Sequence, residues 1–312
     1  MTMRLSDKNT YSETLEKMQQ IMSQIREKCK RIEKERAEIQ QKLAIVSRYI
    51  KCTAVKDMCH CSSGEKNNTV DIGAPVFITA RFRSGSTFLW NFFKSIPRVT
   101  AFYEPLQENL PEHVGRQTPA QKSHVGVTSY WGEYSPIEAE MIEYHRREFG
   151  FVNLLLEQND QYPELEKYIH VLIRSVSNKI PVLQFNRVDF RLPWLRHHFP
   201  AAKIIHLYRN PRDQWFSMVR DQLPRDVTTP DINTNYDLLL WSVYLAKYFP
   251  FLAEGIESSY ERHYYIWRLS ELMGKRCADV SIDYDTEIRK SPDRAIRKLN
   301  QIMDMTDYKK SF

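Results

Sequence analysis

From Pro75 onward, short apolar runs alternate with longer amphipathic stretches, and this alternation constrains the fold more than any other feature of the chain. A strand that reads as a continuous apolar run is buried on both faces, as happens when helices cover both sides of a parallel sheet. The runs PVFITA (75–80), VTAFY (99–103), PVLQF (181–185), AKIIHLY (202–208) and DVSID (279–283) are the predicted strands. Helices fill the intervals, with helical patterns around 137–157 and 163–177 in the long stretch between Tyr103 and Pro181. The predicted class is therefore α/β, a parallel sheet flanked by helices. The aromatic segment HVGVTSYWGEYS (124–135) is expected to cap or line a site.

The first 50 residues follow another rule. Tyr11, Leu15, Met18, Met22, Ile25, Cys29, Ile32, Arg36, Ile39, Leu43, Val46 and Ile50 alternate steps of four and three, with no Pro or Gly between them. That is a heptad seam, and it predicts a coiled-coil helix over 1–50 of roughly 60 Å. A helix cannot bury its own seam, so a second copy is the expected partner and the protein is expected to be a homo-oligomer. Residues 51–74 lose the periodicity and read as a linker, which leaves 75–312 as the catalytic-sized unit. Cys52, Cys59, His60 and Cys61 lack the loop-sized gaps of an ordinary zinc site, so the linker reads as solvated and not metal-binding.

Composition narrows the setting. The five cysteines are an odd number scattered through 312 residues, which predicts reduced thiols. No apolar run reaches the ~18 residues of a membrane helix, and the start MTMRLSDKNTYSETLEK lacks a secretory core. A cytoplasmic protein with no transmembrane segment is expected. The net charge of +6 favours polyanionic partners such as nucleotides, while no nucleic-acid motif accompanies it. Nucleic acid is not an expected partner.

Two segments carry chemistry. Directly after the first strand comes Arg81-Phe82-Arg83-Ser84-Gly85-Ser86-Thr87, followed by the helical run FLWNFFKSI. Backbone N–H groups of a helix start, hydroxyls and two guanidiniums converge there, which suits phosphate or sulfate. The Gly-Lys-Ser/Thr ending of a nucleoside triphosphate loop is missing, since Ser86 follows Gly85, and this disfavours an ATPase or kinase. The fourth strand runs into Arg209-Asn210-Pro211-Arg212-Asp213-Gln214-Trp215-Phe216-Ser217. Here Asn210 is the predicted N-cap, Pro211 the first helical residue and Asp213 the returning arm of a capping box. Arg209 at the strand end and Ser217 two turns into the helix both face the crevice where open α/β sheets bind ligands. Taken singly, each segment also reads as a capped helix start whose arginine pairs with a carboxylate.

Together, RSGST and RNPRDQWFS resemble the two nucleotide-binding elements of the sulfotransferase family, which uses 3'-phosphoadenosine 5'-phosphosulfate (PAPS). The resemblance covers roughly residues 75–300, including DYDTEIRKSPDRAIRKL, and implies the P-loop-like sulfotransferase fold. It implies that Arg83, Ser84, Gly85, Ser86 and Thr87, with Arg81 beside them, surround the 5'-phosphosulfate. Arg209 and Ser217 match the pair that grips the 3'-phosphate. Many cytosolic small-molecule sulfotransferases carry a lysine in the first loop and a Lys-Thr-His segment with a catalytic histidine; here those slots hold Arg83 and Gln184-Phe185-Asn186-Arg187. The late Gly-rich segment of those enzymes is also missing from GKRCADVSIDYDTEI. The arginine of RSGST and the segment Tyr103-Glu104-Pro105-Leu106 are instead similar to carbohydrate and bacterial sulfotransferases.

On this resemblance Glu104 is the candidate general base, with His124 in reserve, and Arg83 stabilises charge on the leaving phosphate. Glu104 reads otherwise as the partner of a nearby arginine. Asn186, Arg187 and Asp189 follow a strand end and are expected to face the acceptor. The implied acceptor is a hydroxyl or amine of a glycan, glycolipid or small metabolite, the product is 3'-phosphoadenosine 5'-phosphate (PAP), and the chemistry requires no metal. The alternative is a coiled-coil interaction protein whose α/β domain binds a phosphorylated ligand without catalysis. Trp241, Tyr244 and Phe249, at helical spacing, read as core and not as a sugar-stacking face.

Overall fold

The computed structural model describes residues 19–24, 26–28, 30, 33, 73–114, 116, 127, 129–219, 238–253, 256 and 258–303. The chain divides into two compact units, Met1–His60 and Cys61–Phe312. In the first, every described residue is helical, and Met22 of the predicted seam is 51% exposed. The rest of the seam, together with Cys52, Cys59, His60 and Cys61, lies outside the described residues. Among the described residues no helix is long and apolar enough to cross a membrane.

The second unit holds a five-stranded sheet in the order β2-β3-β1-β4-β5, with β1 Val76–Ala80, β2 Val99–Tyr103, β3 Ile180–Phe185, β4 Lys203–Tyr208 and β5 Val280–Asp283. Every pairing is parallel; Val76 of the central strand stands against Val182 on one side and Lys203 on the other. All five predicted strands are present, within a residue of the expected bounds. The β1 residues are buried throughout, which explains why its sequence does not alternate.

Helix α1 (Ser86–Lys94) follows β1 and packs Leu89, Trp90, Phe92 and Phe93 inward, each such side chain contributing about 1.5–3 kcal/mol of apolar burial. The Trp90 indole N–H donates to the Ala101 carbonyl at 2.9 Å, tying α1 to β2. Between β2 and β3 run α2 (Leu110–His113), a 3-10 turn Gly132–Ile137, α3 (Glu138–Tyr144), a second 3-10 turn Arg147–Gly150 and α4 (Pro163–Arg174). Tyr130, Trp131 and Tyr134 are buried against Trp90, Phe102 and Tyr103, so this end of the predicted aromatic segment is core.

The sequence pattern predicts a helix through 137–157, whereas the structure ends it at Tyr144, and His145 is extended at ψ 141. At the break, Arg146 Nη1 donates to Glu143 O at 2.6 Å and His145 O at 2.8 Å, and a second arginine takes carbonyls further along. Arg191, wholly buried, donates to Phe149 O at 2.7 Å, Val152 O at 2.5 Å and Asn153 O at 2.9 Å. Burial lowers the Arg191 guanidinium to about 10, still far above neutrality. These charge-assisted bonds outweigh the modest helical preference of a segment containing Gly150 and Asn153.

After β3 come α5 (Leu192–His198), then α6 (Pro211–Val219), α7 (Leu238–Leu245), α8 (Ser259–Cys277) and, beyond β5, α9 (Pro292–Leu299). In α7, Leu238, Trp241, Ser242 and Leu245 form the buried stripe. Tyr244, expected in the core, is 36% exposed because it falls outside that stripe.

Three histidines are held neutral inside this unit. Burial pushes His145 down to about 4, and His206 and His263 down to about 3. Unfolded histidine titrates near ~6.5, so between there and the folded values the unfolded chain binds more protons, and stability falls as pH drops. Denaturant unfolding at stepped pH is expected to show this loss below about pH 6.5, with His206→Gln flattening the slope by about one proton, or ~1.4 kcal/mol per pH unit.

Candidate active site

The loop after β1 is shaped by two residues with positive φ, Arg83 at 63° and Gly85 at 93°. Gly85 is the cap from which α1 departs, and a Cβ there would lie 2.3 Å from the Tyr284 ring. Only glycine accommodates both the dihedral and that approach. Tyr284 opens a π-helical turn, Tyr284–Ile288, directly after β5. The fifth strand therefore lays an aromatic ring on the loop of the first.

The junction after β4 is built as its sequence predicts, with one change. The Asn210 side chain accepts from the N–H groups of Arg212 at 3.0 Å and Asp213 at 3.4 Å, and α6 starts at Pro211. The returning arm of the cap comes from Asp285, not from Asp213: Asn210 N–H donates to Asp285 Oδ2 at 3.1 Å. The shorter reach of Asp compared with Glu at that position leaves room for this outside carboxylate.

The two elements meet. Arg83 Nε donates to Ser217 Oγ at 3.1 Å, and Arg209 Nη1 donates to the Arg83 carbonyl at 3.3 Å. The Arg209 guanidinium lies 5.3 Å from the Tyr284 ring centroid. Its Nε is buried with no hydrogen-bond partner among the described residues, and Asp285 Oδ1 stands 3.6 Å away. A half-buried guanidinium with an unbonded, buried Nε beside a helix start is a site that favours an anion.

Not every predicted anion ligand points this way. Arg81 is buried, pairs with Asp189 at 3.1 Å and stacks 4.2 Å from the Trp241 ring. Asp189, expected to face the acceptor, is likewise buried and also accepts from Thr79 Oγ1 at 3.1 Å. Both join β1 to the turn after β3, because a buried arginine is tolerated only when a carboxylate neutralises it. The Ser84 hydroxyl, fully buried, donates to the Arg81 carbonyl at 2.6 Å and so braces the loop. Thr87 Oγ1 sits 2.9 Å from the Tyr103 hydroxyl.

The residue after Tyr103 is Glu104, at φ 40°, in a turn fastened from several sides. Tyr134 donates to Tyr103 O and Tyr168 to Pro105 O, both at 2.9 Å, and His145 Nε2 donates to Gln107 O at 3.0 Å. The Glu104 side chain, 13% exposed, accepts from Asn186 Nδ2 at 2.5 Å and from Arg187 Nη1 at 3.2 Å. Asn186 is oriented by Gln184, whose amide donates to it at 2.7 Å. The structure thus brings together Glu104, Asn186 and Arg187, and the pairing of Glu104 with an arginine is present. Burial pushes the Glu104 carboxyl above the usual glutamate range, and the Arg187 charge only partly opposes it.

His124, the reserve base, lies outside the described residues. Sequence reasoning missed Glu108, Tyr284 and Asp285 as site residues. The acidic-aromatic turn DYDTEI was a visible signal for the last two; Glu108 carried none. Among the described residues no group of three His, Cys, Asp or Glu side chains is placed to hold a metal ion.

Comparison with known proteins completes the assignment. Residues 75–259, more than half of the chain, match the model of the sulfotransferase family, and the chain belongs to that family. Solved structures with a detectable likeness include a sulfotransferase from Alicyclobacillus acidocaldarius, at 14% identity and TM-score 0.35, covering 73% of this chain and 80% of that one. Another is a sulfotransferase from Mycobacterium avium, at 13% identity and TM-score 0.39, covering 75% of this chain and 64% of that one. A search of curated protein sequences finds no match.

The contact between Gly85 and Tyr284 yields a direct check. Gly85→Ala is expected to cost about 1–3 kcal/mol of stability, from left-handed strain and displacement of the ring. Thermal unfolding measures it, and Gly73→Ala, at φ 121° but with its nearest neighbouring atom 4.0 Å away, separates the dihedral cost from the steric one.

Proposed function

We propose that this protein transfers a sulfuryl group from PAPS to a hydroxyl or amine of a glycan, glycolipid or small metabolite. The observation that carries the reading is the junction of the two basic elements, where Arg83 reaches Ser217 and Arg209 reaches the Arg83 backbone. The residues fit a donor with two separate anionic groups: the buried Arg209 Nε has no hydrogen-bond partner among the described residues, and the α1 start opens beside it. PAPS, when bound, supplies an activated sulfuryl group on its 5'-phosphate. In this reading Arg209 and Ser217 hold the 3'-phosphate, and Arg83, Gly85, Ser86 and Thr87 hold the 5' end. Arg83 stabilises the charge that collects on the departing phosphate. Glu104 takes the proton of the attacking acceptor, and Asn186 and Arg187 orient it.

The heptad pattern supports a further part of the reading: two or more copies joined through residues 1–50, in the cytoplasm. The competing reading, a coiled-coil interaction protein with a non-catalytic phosphate site, shares the anion pocket but gives Glu104 no chemical task.

Isothermal titration with PAP, against adenosine 5'-phosphate as control, tests the donor site without a known acceptor. Binding is expected to favour PAP by about 100-fold, a preference worth ~2.7 kcal/mol, and Arg209→Ala is expected to erase most of it. Equal affinity for both nucleotides overturns the reading.

A second pair of variants separates enzyme from binder. With labelled PAPS and a panel of glycan, glycolipid and phenol acceptors, Arg83→Ala is expected to lower both nucleotide affinity and turnover. Glu104→Gln is expected to leave PAP affinity within about 2-fold while lowering turnover by ~100-fold or more. Full turnover in Glu104→Gln removes it from the base role.

A further inference from the structure

Glu104 does not have Arg187 to itself. Glu108 accepts from Arg187 Nε at 2.8 Å and from Nη2 at 2.9 Å, the forked geometry of a strong guanidinium–carboxylate pair. Glu104 receives the remaining, longer bond from Nη1 at 3.2 Å. Two carboxylates therefore share one guanidinium, and the second carboxylate holds the better part of it.

The surrounding chain enforces this division. The Arg187 guanidinium lies 4.9 Å from the Phe82 ring, which fixes its plane, and the Arg187 carbonyl accepts from Arg191 Nη1 at 3.4 Å. Glu108 is seated on Gly150, where an added Cβ would lie 2.4 Å from its Oε1. Gly150 in turn is held by the bonds from Arg191 to the carbonyls of Phe149 and Val152 on either side. The same buried arginine thus supports both the guanidinium and the floor beneath the carboxylate that captures it.

We propose that Glu108 is a positioning residue: by claiming two Arg187 N–H donors it keeps that guanidinium from pairing fully with Glu104, and so preserves Glu104 as a proton acceptor. The inference rests on the reading of Glu104 as the base. The groups that face Glu104 are the Tyr103 hydroxyl from β2, Asn186 and Arg187 from the turn after β3, and Glu108 from its own turn; Tyr134 contributes from the 3-10 turn. Of these, Arg187 favours the ionised carboxylate and Glu108 opposes it. Removing the Glu108 charge takes away the opposing influence and releases Arg187, and both changes act in one direction, towards a weaker base.

The test reads Glu104 directly and needs no acceptor. Infrared titration of the full chain follows the C=O band of the protonated carboxyl, identified by its loss in Glu104→Gln. In Glu108→Gln the midpoint is expected to fall by roughly one pH unit, a tenfold change in proton affinity. Gly150→Ala, which crowds Glu108 away from Arg187 without altering charge, is expected to shift it in the same direction by a smaller amount, and it serves should Glu108→Gln fail to fold. An unchanged or raised midpoint in a folded variant means that Glu108 merely anchors its turn, and overturns the proposal. PAP titration on the same variants keeps the two questions apart: loss of PAP preference in the wild type defeats the donor-site reading, while the infrared midpoint still decides the role of Glu108.

Discussion

The strand order places every later feature. In a wholly parallel sheet all carboxyl ends lie on one edge, and in the order β2-β3-β1-β4-β5 the chain leaves β1 towards one side of the sheet and β4 towards the other. Connections that diverge in this way open a crevice between the two strands. The loops after β1 and β4 border it, which is why a guanidinium from one reaches a serine of the other across 134 positions of sequence. The turns after β2 and β3 stand on the same edge, with β3 between β2 and β1, so Glu104 and Asn186 meet by the same logic.

Electrostatics then sorts the arginines on that edge by what neutralises them. Arg81 is answered by Asp189, Arg187 by Glu108 and Glu104, and Arg191 by backbone carbonyls. Burying a cation without such partners costs several kcal/mol, so these three are fixed in place by their partners. Arg209 is answered less completely, with Asp285 at 3.6 Å and a buried Nε left over, and Arg83 donates to a neutral hydroxyl. The junctions after β1 and β4 thus carry two arginines, one bonded to a hydroxyl and one loosely paired with Asp285.

The sequence disclosed the parts of this arrangement that local chemistry controls. Apolar runs marked all five strands, and the caps and hydroxyls of RSGST and RNPRDQWFS marked both junctions, because these features obey rules a few residues long. Assignments that depend on distant partners came out differently. Arg81 stands in a basic loop, yet its direction is decided by Asp189 and Trp241, more than a hundred positions away. The helix expected through 137–157 has the right periodicity, but Arg146 takes carbonyls at its break and Arg191 those further along. Glu108 showed no signal, since its role exists only once Gly150 and Arg187 are brought beside it.

A further bond joins the two halves of the edge. Thr87, in the first turn of α1, stands 2.9 Å from the Tyr103 hydroxyl, and Tyr103 is the residue immediately before Glu104. Tyr103 is buried and its phenol is pushed well above its usual range, chiefly by burial, so it remains a protonated hydrogen-bonding group at any pH the protein meets. The anion loop and the carboxylate turn are thus connected by a neutral link that no change of pH breaks. Trp90, one turn further along the same face of α1, reinforces it, packing 4.8 Å from the Tyr103 ring while its indole holds Ala101. On the proposed reading, the loop that holds the donor and the turn that carries the base are thus joined through packed, uncharged groups.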